Sequence, residues 1–348
     1  MELKSIIQEY KPALIKKHGG KLLHNQYKAM HSIERCRTAQ SGQLYVQCKQ
    51  CEHAHWTPMS CGHRFCPTCQ NHEVDQWLDR QKQKLLPVDY FMITFTLPAE
   101  LRQLTSTHQK IIYPLFFASV ASTLKDFGLN PDKLDGETGF TAVLHTHNRK
   151  LDYHPHIHII MPGGGINKKN KQWKRPKGKY LFNEFALAKV FRARFLAALN
   201  KHSLTIHNTP PEKWVANVQH VGKGLPALKY LSRYLYRGVI SEKNITANKE
   251  GKVTFRYINS TTKKTQYRTL NGEDFLYLLL KHVLPTGFRR VRDYGFLHSN
   301  AKKMLLLVQL ILHINLKPIQ KRKRAKFICP LCQSKMIIII IKPWPNSS

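Results

Sequence analysis

The chain has 348 residues and a formal net charge of +35, from 56 Lys and Arg against 21 Asp and Glu, with a sequence pI near 10.0. That excess favours a polyanion, nucleic acid first, and fits a membrane surface poorly, because the basic residues are spread through folded-looking segments. The longest apolar runs, residues 304–312 and 336–341, fall short of the about 20 residues a bilayer span needs, and no signal peptide opens the sequence. A soluble, cytoplasmic protein with no membrane partner is expected, built as one large domain or two to three small ones.

In chain order, residues 1–35 read as helix, opening with an amphipathic stretch at 1–17. Residues 36–70 are a cysteine-rich module, and a polar helix follows at about 73–84. Residues 89–97, Asp-Tyr-Phe-Met-Ile-Thr-Phe-Thr-Leu, are aromatic and β-branched and predict a buried strand. Residues 101–127 predict a helix interrupted near Pro114, and 140–147 with 154–161 an antiparallel pair of strands. Residues 168–179 form a basic loop around Trp173, either solvated or gripping phosphate through Lys168, Lys169, Lys171, Lys174 and Arg175. Residues 183–201 predict an amphipathic helix anchored by Phe185, Phe191 and Phe195. A strand at 214–221, a helix at 225–237, a hairpin at 253–258 and 266–270, and a buried helix at 274–283 follow. Beyond Lys317 the chain is basic and low in order until a last pair of cysteines.

Six of the eight cysteines fall between Cys36 and Cys69. Cys48-x-x-Cys51, fourteen residues, then Cys66-x-x-Cys69 is the spacing of two knuckles around one tetrahedral zinc. Cys36 and Cys61 are left over for a second zinc, with His31, His53, His55 and His63 nearby. The last two, Cys329 and Cys332, are either half of a site or two free thiols.

The run Tyr153-His154-Pro155-His156-Ile157-His158-Ile159 holds the most chemistry. Strand side chains alternate, so His154, His156 and His158 share one face while Ile157 and Ile159 anchor the other. Imidazoles so placed suit a divalent metal, and the following Pro162-Gly163-Gly164-Gly165 turn would let backbone approach a ligand. Val143, His145 and His147 alternate on the neighbouring strand, which makes His145 a candidate third ligand.

At 228–237, Leu-Lys-Tyr-Leu-Ser-Arg-Tyr-Leu-Tyr-Arg, helical pitch sets Tyr230 and Tyr234 on one face. Lys229, Arg233 and Arg237 form a second row able to pair with phosphates and stabilise a phenolate. A phenol with a pKa near 10 is a poor nucleophile unless cations or a metal-polarised phosphate assist it.

His156-Ile157-His158 resembles the HUH motif (His, hydrophobic, His) of endonucleases that nick single-stranded DNA. More narrowly, the chain resembles transposases of the insertion-sequence-ninety-one family. The resemblance rests on the block from Cys61-Gly62-His63-Arg64-Phe65 to Cys69-Gln70, the strand Phe91-Met92-Ile93-Thr94-Phe95, and the histidine run with its glycines. Tyr230-Leu231-Ser232-Arg233-Tyr234 and His282-Val283-Leu284-Pro285-Thr286-Gly287-Phe288 complete it. Gln43 stands where the family leads one to expect histidine, and the tail beyond Lys317 departs from the pattern.

The resemblance implies an α+β protein: a helical, zinc-binding N-terminal module (1–86), an antiparallel-sheet catalytic domain of replication-initiator type (87–300) and a basic tail with a cysteine pair (301–348). It implies His156 and His158 as ligands of a catalytic Mg²⁺ or Mn²⁺, structural Zn²⁺, and Tyr230 and Tyr234 as nucleophiles. The expected activity is nicking of single-stranded element ends through a 5′-phosphotyrosine, followed by strand transfer in rolling-circle-type transposition. Unwinding is left to host helicase or replication machinery, in a bacterial, nucleoid-associated setting. The rival expectations are a rolling-circle plasmid or phage initiator, and a non-catalytic zinc-dependent DNA-binding protein.

Overall fold

The computed structural model describes residues 2–69, 71–226, 228–229, 239–259, 261–314 and 326–343, with residues 71–76 described by their backbone. The helices are α1 (Leu3–His18), α2 (His24–Arg35), α3 (Asn71–Lys82), α4 (Arg102–Thr107), α5 (Gln109–Leu129), α6 (Glu184–Lys201), α7 (Gly272–Leu280) and α8 (Lys302–Ile311). The strands are β1 (Gln43–Cys48), β2 (Ala54–Pro58), β3 (Asp89–Thr96), β4 (Phe140–His147), β5 (Tyr153–Pro162), β6 (Gly165–Asn167), β7 (Gln172–Lys174) and β8 (Val215–Lys223). They continue with β9 (Ile245–Lys249), β10 (Lys252–Ile258), β11 (Thr265–Asn271), β12 (Val291–Tyr294) and β13 (Met336–Lys342). All named sheets are antiparallel, so the α+β class holds. No helix among the described residues is long and apolar enough to cross a membrane.

Contacts divide the described residues into two compact units. The first draws on residues 1–72, 237–283 and 317–348, the second on 73–236 and 284–316. This differs from three consecutive segments divided after residues 86 and 300. The hairpin β10–β11, helix α7 and the C-terminal strand β13 all return to the first unit, while α3 and α8 belong to the second.

In the first unit α1 packs on α7, close enough that a Cβ on Gly272 would fall 2.3 Å from the Tyr10 ring. Tyr10 donates to the Asn248 side chain at 2.6 Å, and Gln26 donates to the Leu280 carbonyl at 2.8 Å. Among the described residues of the tail, Met336–Lys342 form a regular strand. β13 pairs along all of β1, which pairs with β2 on its other edge. Val46, Cys48, Cys329 and Met336 form a small buried cluster beside that sheet.

The second unit centres on a five-stranded sheet in the order β12-β4-β5-β3-β8. Period-two alternation gives it two faces. Phe91, Ile93 and Phe95 of β3, Ala142 and Leu144 of β4, and Ile157, Ile159 and Met161 of β5 face α5 and α6 in one core. Val143 and Ile160 face the other way, into a second cluster with Trp77, Leu228, Phe296 and Val308. Asn183 caps α6 by accepting from the Ala186 N–H at 2.9 Å. Phe191 and Phe195 anchor that helix, but Phe185 is 82 % exposed and does not.

Two further expectations shift. The helical break falls at His108, between α4 and α5, and Pro114 lies inside α5. The Gly163–Gly165 run is closely packed, at the end of β5 away from its histidines. A Cβ on Gly163 would meet the Phe91 ring at 2.8 Å, and one on Gly165 would meet the Gly136 carbonyl at 2.8 Å.

Candidate active site and cysteine centres

Register explains the histidine cluster. His156 pairs across β4–β5 with His145, and His158 lies between Val143 on one side and Thr94 on the other. All three imidazoles emerge on the sheet face opposite α5 and α6. His145, His156 and His158 each offer a ring nitrogen within 4.8 Å of the others. Their ring centroids are 4.7–5.2 Å apart.

The second nitrogens are fixed by hydrogen bonds. His156 Nδ1 lies 2.7 Å from the His154 carbonyl, which can only accept, so Nδ1 carries the proton and Nε2 keeps its lone pair. His158 Nδ1 lies 2.9 Å from Thr94 Oγ1. With Thr94 accepting, the Nε2 of His158 is likewise a bare donor to a cation.

The protein environment keeps these rings neutral. Burial pushes His156 down to about 3, with His158 adding to it, and burial pushes His158 down to about 4. His145 is held well below the ordinary value by burial first, then by His158, His156 and Arg290. Neutral imidazole is the form that binds a metal, and three of them on neighbouring strands fit one divalent ion with coordination positions left for phosphate oxygens and water.

His154 does not join the cluster. Its Nδ1 accepts from the Arg102 guanidinium at 2.9 Å. Thr94, Arg102 and Arg290 are contributors that sequence reading passed over. Thr94 was legible in principle, being an odd polar position in Ile93-Thr94-Phe95. Arg290 donates to the Leu144 carbonyl at 2.9 Å, which holds its charge near His145.

Tyr230, Tyr234, Tyr236, Arg233 and Arg237 lie outside the described residues. Lys229 is exposed on a helical stretch, and Leu228 beside it is 3 % exposed. The basic loop is a β6–β7 hairpin, with Trp173 against Phe296 at 5.8 Å between ring centroids. Lys168 is paired with Glu137, and Lys174 with Asp135 at 3.2 Å. Lys169, Lys171 and Arg175 are exposed.

The eight cysteines form two groups of four, and not the groups that spacing predicts. Cys36, Cys61, Cys66 and Cys69 make one, and Cys48, Cys51, Cys329 and Cys332 the other, each with all sulfurs within 4.8 Å. The β1–β2 hairpin separates them. Cys48 and Cys51 sit at its tip, whereas Cys36 and Cys61 flank its base, a strand length of roughly 20 Å away at 3.3 Å per residue. Counting residues between Cys51 and Cys66 gives the right number but misses the return strand. The nearby histidines stay out of both groups: His31 bonds Arg35 at 2.6 Å, and His63 Nδ1 accepts from the Phe65 N–H at 3.2 Å. Gln43 is a β1 residue opposite Pro58 and takes no part.

In the first group Sγ separations are 3.4 Å (Cys36–Cys69), 3.6 Å (Cys61–Cys69) and 3.6 Å (Cys36–Cys66). A disulfide would be near 2.05 Å, whereas a tetrahedral zinc with bonds of about 2.3 Å puts its sulfurs about 3.8 Å apart. Cys66 is drawn down to about 5, chiefly because Cys61 donates to it, so one thiolate is already favoured. These residues fit a structural zinc.

Comparison with known proteins relates the chain to transposases. One family model, described as "Putative transposase", matches residues 139–304, and the transposase zinc-binding domain of the IS91 type matches residues 6–97. A protein of Sinorhizobium fredii described as "Putative transposase y4qJ" is 33% identical over 330 residues, covering 88% of this chain and 82% of that one. The transposase for insertion sequence element IS801 of Pseudomonas savastanoi pv. phaseolicola is 25% identical over 288 residues, 76% of this chain and 68% of its own. A solved structure of the conjugative relaxase TrwC with oriT DNA is similar over 65% of this chain and 73% of its own, at 15% identity and a TM-score of 0.26. That last likeness is too loose to carry weight.

An α+β chain with a cysteine-rich module and a histidine-bearing antiparallel sheet is thus a transposase in class. It belongs to the IS91 family of insertion-sequence transposases.

Proposed function

We propose that the protein nicks single-stranded DNA at the ends of its element through a 5′-phosphotyrosine and then transfers the strand, in rolling-circle fashion. The observation that carries this reading is the convergence of His145, His156 and His158 on one sheet face. A divalent ion held by their ring nitrogens, Mg²⁺ or Mn²⁺, would polarise the scissile phosphate and orient an in-line displacement. Mg²⁺ favours oxygen ligands, so an all-imidazole protein shell suits Mn²⁺ at least as well.

The phenol oxygen of Tyr230 or Tyr234 attacks phosphorus. A tyrosine–phosphorus bond forms as the bond to the 3′ oxygen breaks, the phenolic proton is lost, and the departing oxygen leaves as a 3′-hydroxyl. The ester conserves the energy of the broken bond, so a later attack by a 3′-hydroxyl rejoins a strand without ATP. Lys229, Arg233 and Arg237 offer positive charge to the phenolate and to flanking phosphates. Leu228 stands two residues before Tyr230 in the sequence. It packs with Val143 and Ile160 on the face that also bears the histidines. Lys169, Lys171 and Arg175 are among the exposed loop residues that could meet a DNA backbone. No Walker-type glycine loop is present in the sequence, so host helicase or replication machinery supplies single strands, at the bacterial nucleoid.

The test is cleavage of a single-stranded end oligonucleotide with Mn²⁺ or Mg²⁺, followed by detection of a protein–DNA adduct. His156→Ala with His158→Ala should abolish nicking while circular dichroism and zinc content stay unchanged. Undiminished metal-dependent nicking by that folded variant removes the proposed site. Nicking only at a plasmid origin, with no action at element ends, would favour a replication initiator instead.

A further inference from the structure

The C-terminal cysteine pair lies far outside the 6–97 region matched as zinc-binding, yet it meets that region in space. Cys48 and Cys332 have their sulfurs 3.4 Å apart, and Cys51 and Cys329 3.5 Å. These separations are too long for disulfides and close to the edge of a tetrahedral ZnS₄ unit. Four sulfurs all within 4.8 Å leave room for one central ion, not for a two-iron cluster.

Local structure explains the meeting. β13 runs antiparallel to β1 with Met336 opposite Cys48, so the residues just before β13 arrive at the tip of the β1–β2 hairpin. There they fold as a second knuckle: Cys329 N–H donates to the Ser334 carbonyl at 2.9 Å, and Gln333 N–H to the Cys329 carbonyl at 3.0 Å. The first knuckle has the N–H···S bond expected around a thiolate, from Gln50 to Cys48 Sγ at 3.4 Å. Cys48 and Cys329 are 1 % and 0 % exposed beside Val46 and Met336, which dries one side of the group.

We propose that Cys48, Cys51, Cys329 and Cys332 hold a second structural zinc, so that the C-terminal pair closes the N-terminal module. The site is a staple between residues 278 positions apart, such as Cys51 and Cys329. Removing it frees the tail strand as well as the ion, since nothing else covalent or metallic ties residues 326–343 to β1. The inference stands apart from the proposed nicking chemistry.

Metal analysis of the purified full chain should give two zincs per molecule. Cys329→Ser with Cys332→Ser should leave one, and the tail should become sensitive to protease. Cys36→Ser with Cys61→Ser should lose the other zinc and keep the tail protected. A wild-type chain with a single zinc, or a folded tail variant that keeps two, overturns the proposal. If the tail variant does not fold, graded chelation of the wild-type protein with alkylation mapping decides. Cys329 and Cys332 should become reactive in the same step as Cys48 and Cys51. Their reaction with Cys66 and Cys69, or before any zinc leaves, would rule the shared site out.

Discussion

Thr94 Oγ1 lies 2.9 Å from His158 Nδ1, across a register that pairs the two residues directly on β3 and β5. An outer partner of this kind fixes the tautomer and orientation of a ligand histidine, and its loss typically costs about 10–100-fold in metal affinity. Thr94→Val keeps a β-branched shape of similar volume and removes the hydroxyl. The variant should need about 10–100-fold more Mn²⁺ for half-maximal nicking, with its rate at saturating metal much less affected. An unchanged metal titration would show that Thr94 does not position His158.

The nucleophile assignment is tested by tyrosine-to-phenylalanine changes, which keep the ring and its packing. At helical pitch Tyr236 is turned about 200° from Tyr234. Tyr236→Phe should therefore retain the covalent adduct, while Tyr230→Phe with Tyr234→Phe eliminates it. Tyr234, flanked by Arg233 and Arg237 in the sequence, is the expected first attacker. Peptide mapping of the trapped adduct gives the answer, and a phosphotyrosine at neither position in an active preparation would overturn the pair.

Acid stability should report on Asp274, in the first turn of α7, where a carboxylate also complements the helix dipole. Its oxygens meet Lys17 Nζ at 2.7 Å and His18 Nε2 at 2.8 Å. Burial alone would raise this carboxyl, but Lys17 and His18 outweigh it and hold the group below its ordinary value. A depressed folded pKa lends stability that is complete above the unfolded value of about 3.9. That stability is lost as pH falls through the lower folded value. Asp274→Asn should melt earlier than wild type at pH 6, and the gap should close as pH falls below about 4. Zinc loss in acid is common to both chains and cancels in the difference. The effect should be small and fade in high salt, because the pair is partly exposed. A gap that stays constant down to pH 2.5 would contradict the assignment.

Much of the second unit was legible because its signals are local. Alternation in Phe91-Met92-Ile93-Thr94-Phe95 and in His156-Ile157-His158 sets which face each side chain takes, and helical pitch with the Asn183 cap marks α6. The same alternation on β4 points to His145 as a neighbour of His156 and His158, and their ring nitrogens lie within 4.8 Å of one another. Pairings that depend on chain reversal were not legible. Cys48 and Cys51 match Cys66 and Cys69 in count, yet β2 carries the chain back to the hairpin base between them. Nothing local announces that residues 329–332 return to the tip. Trp173 likewise looked like part of an open basic loop, because its burial depends on Gly164 and Phe296, neither of which is apparent from its neighbours.

The pairing of β1 with β13 also sets a timetable for synthesis. β1 leaves the ribosome well before its partner on one edge, since Met336 opposite Cys48 lies 288 positions further along the chain. At about 5–20 residues per second the wait is on the order of tens of seconds. Throughout it, β1 presents an unpaired edge with Val46 uncovered, a template for pairing with other chains. A message cut short or shifted in frame before residue 326 would release a chain in which that edge is never closed. Such products should be aggregation-prone and quickly degraded, which would make β13 a quality check on β1.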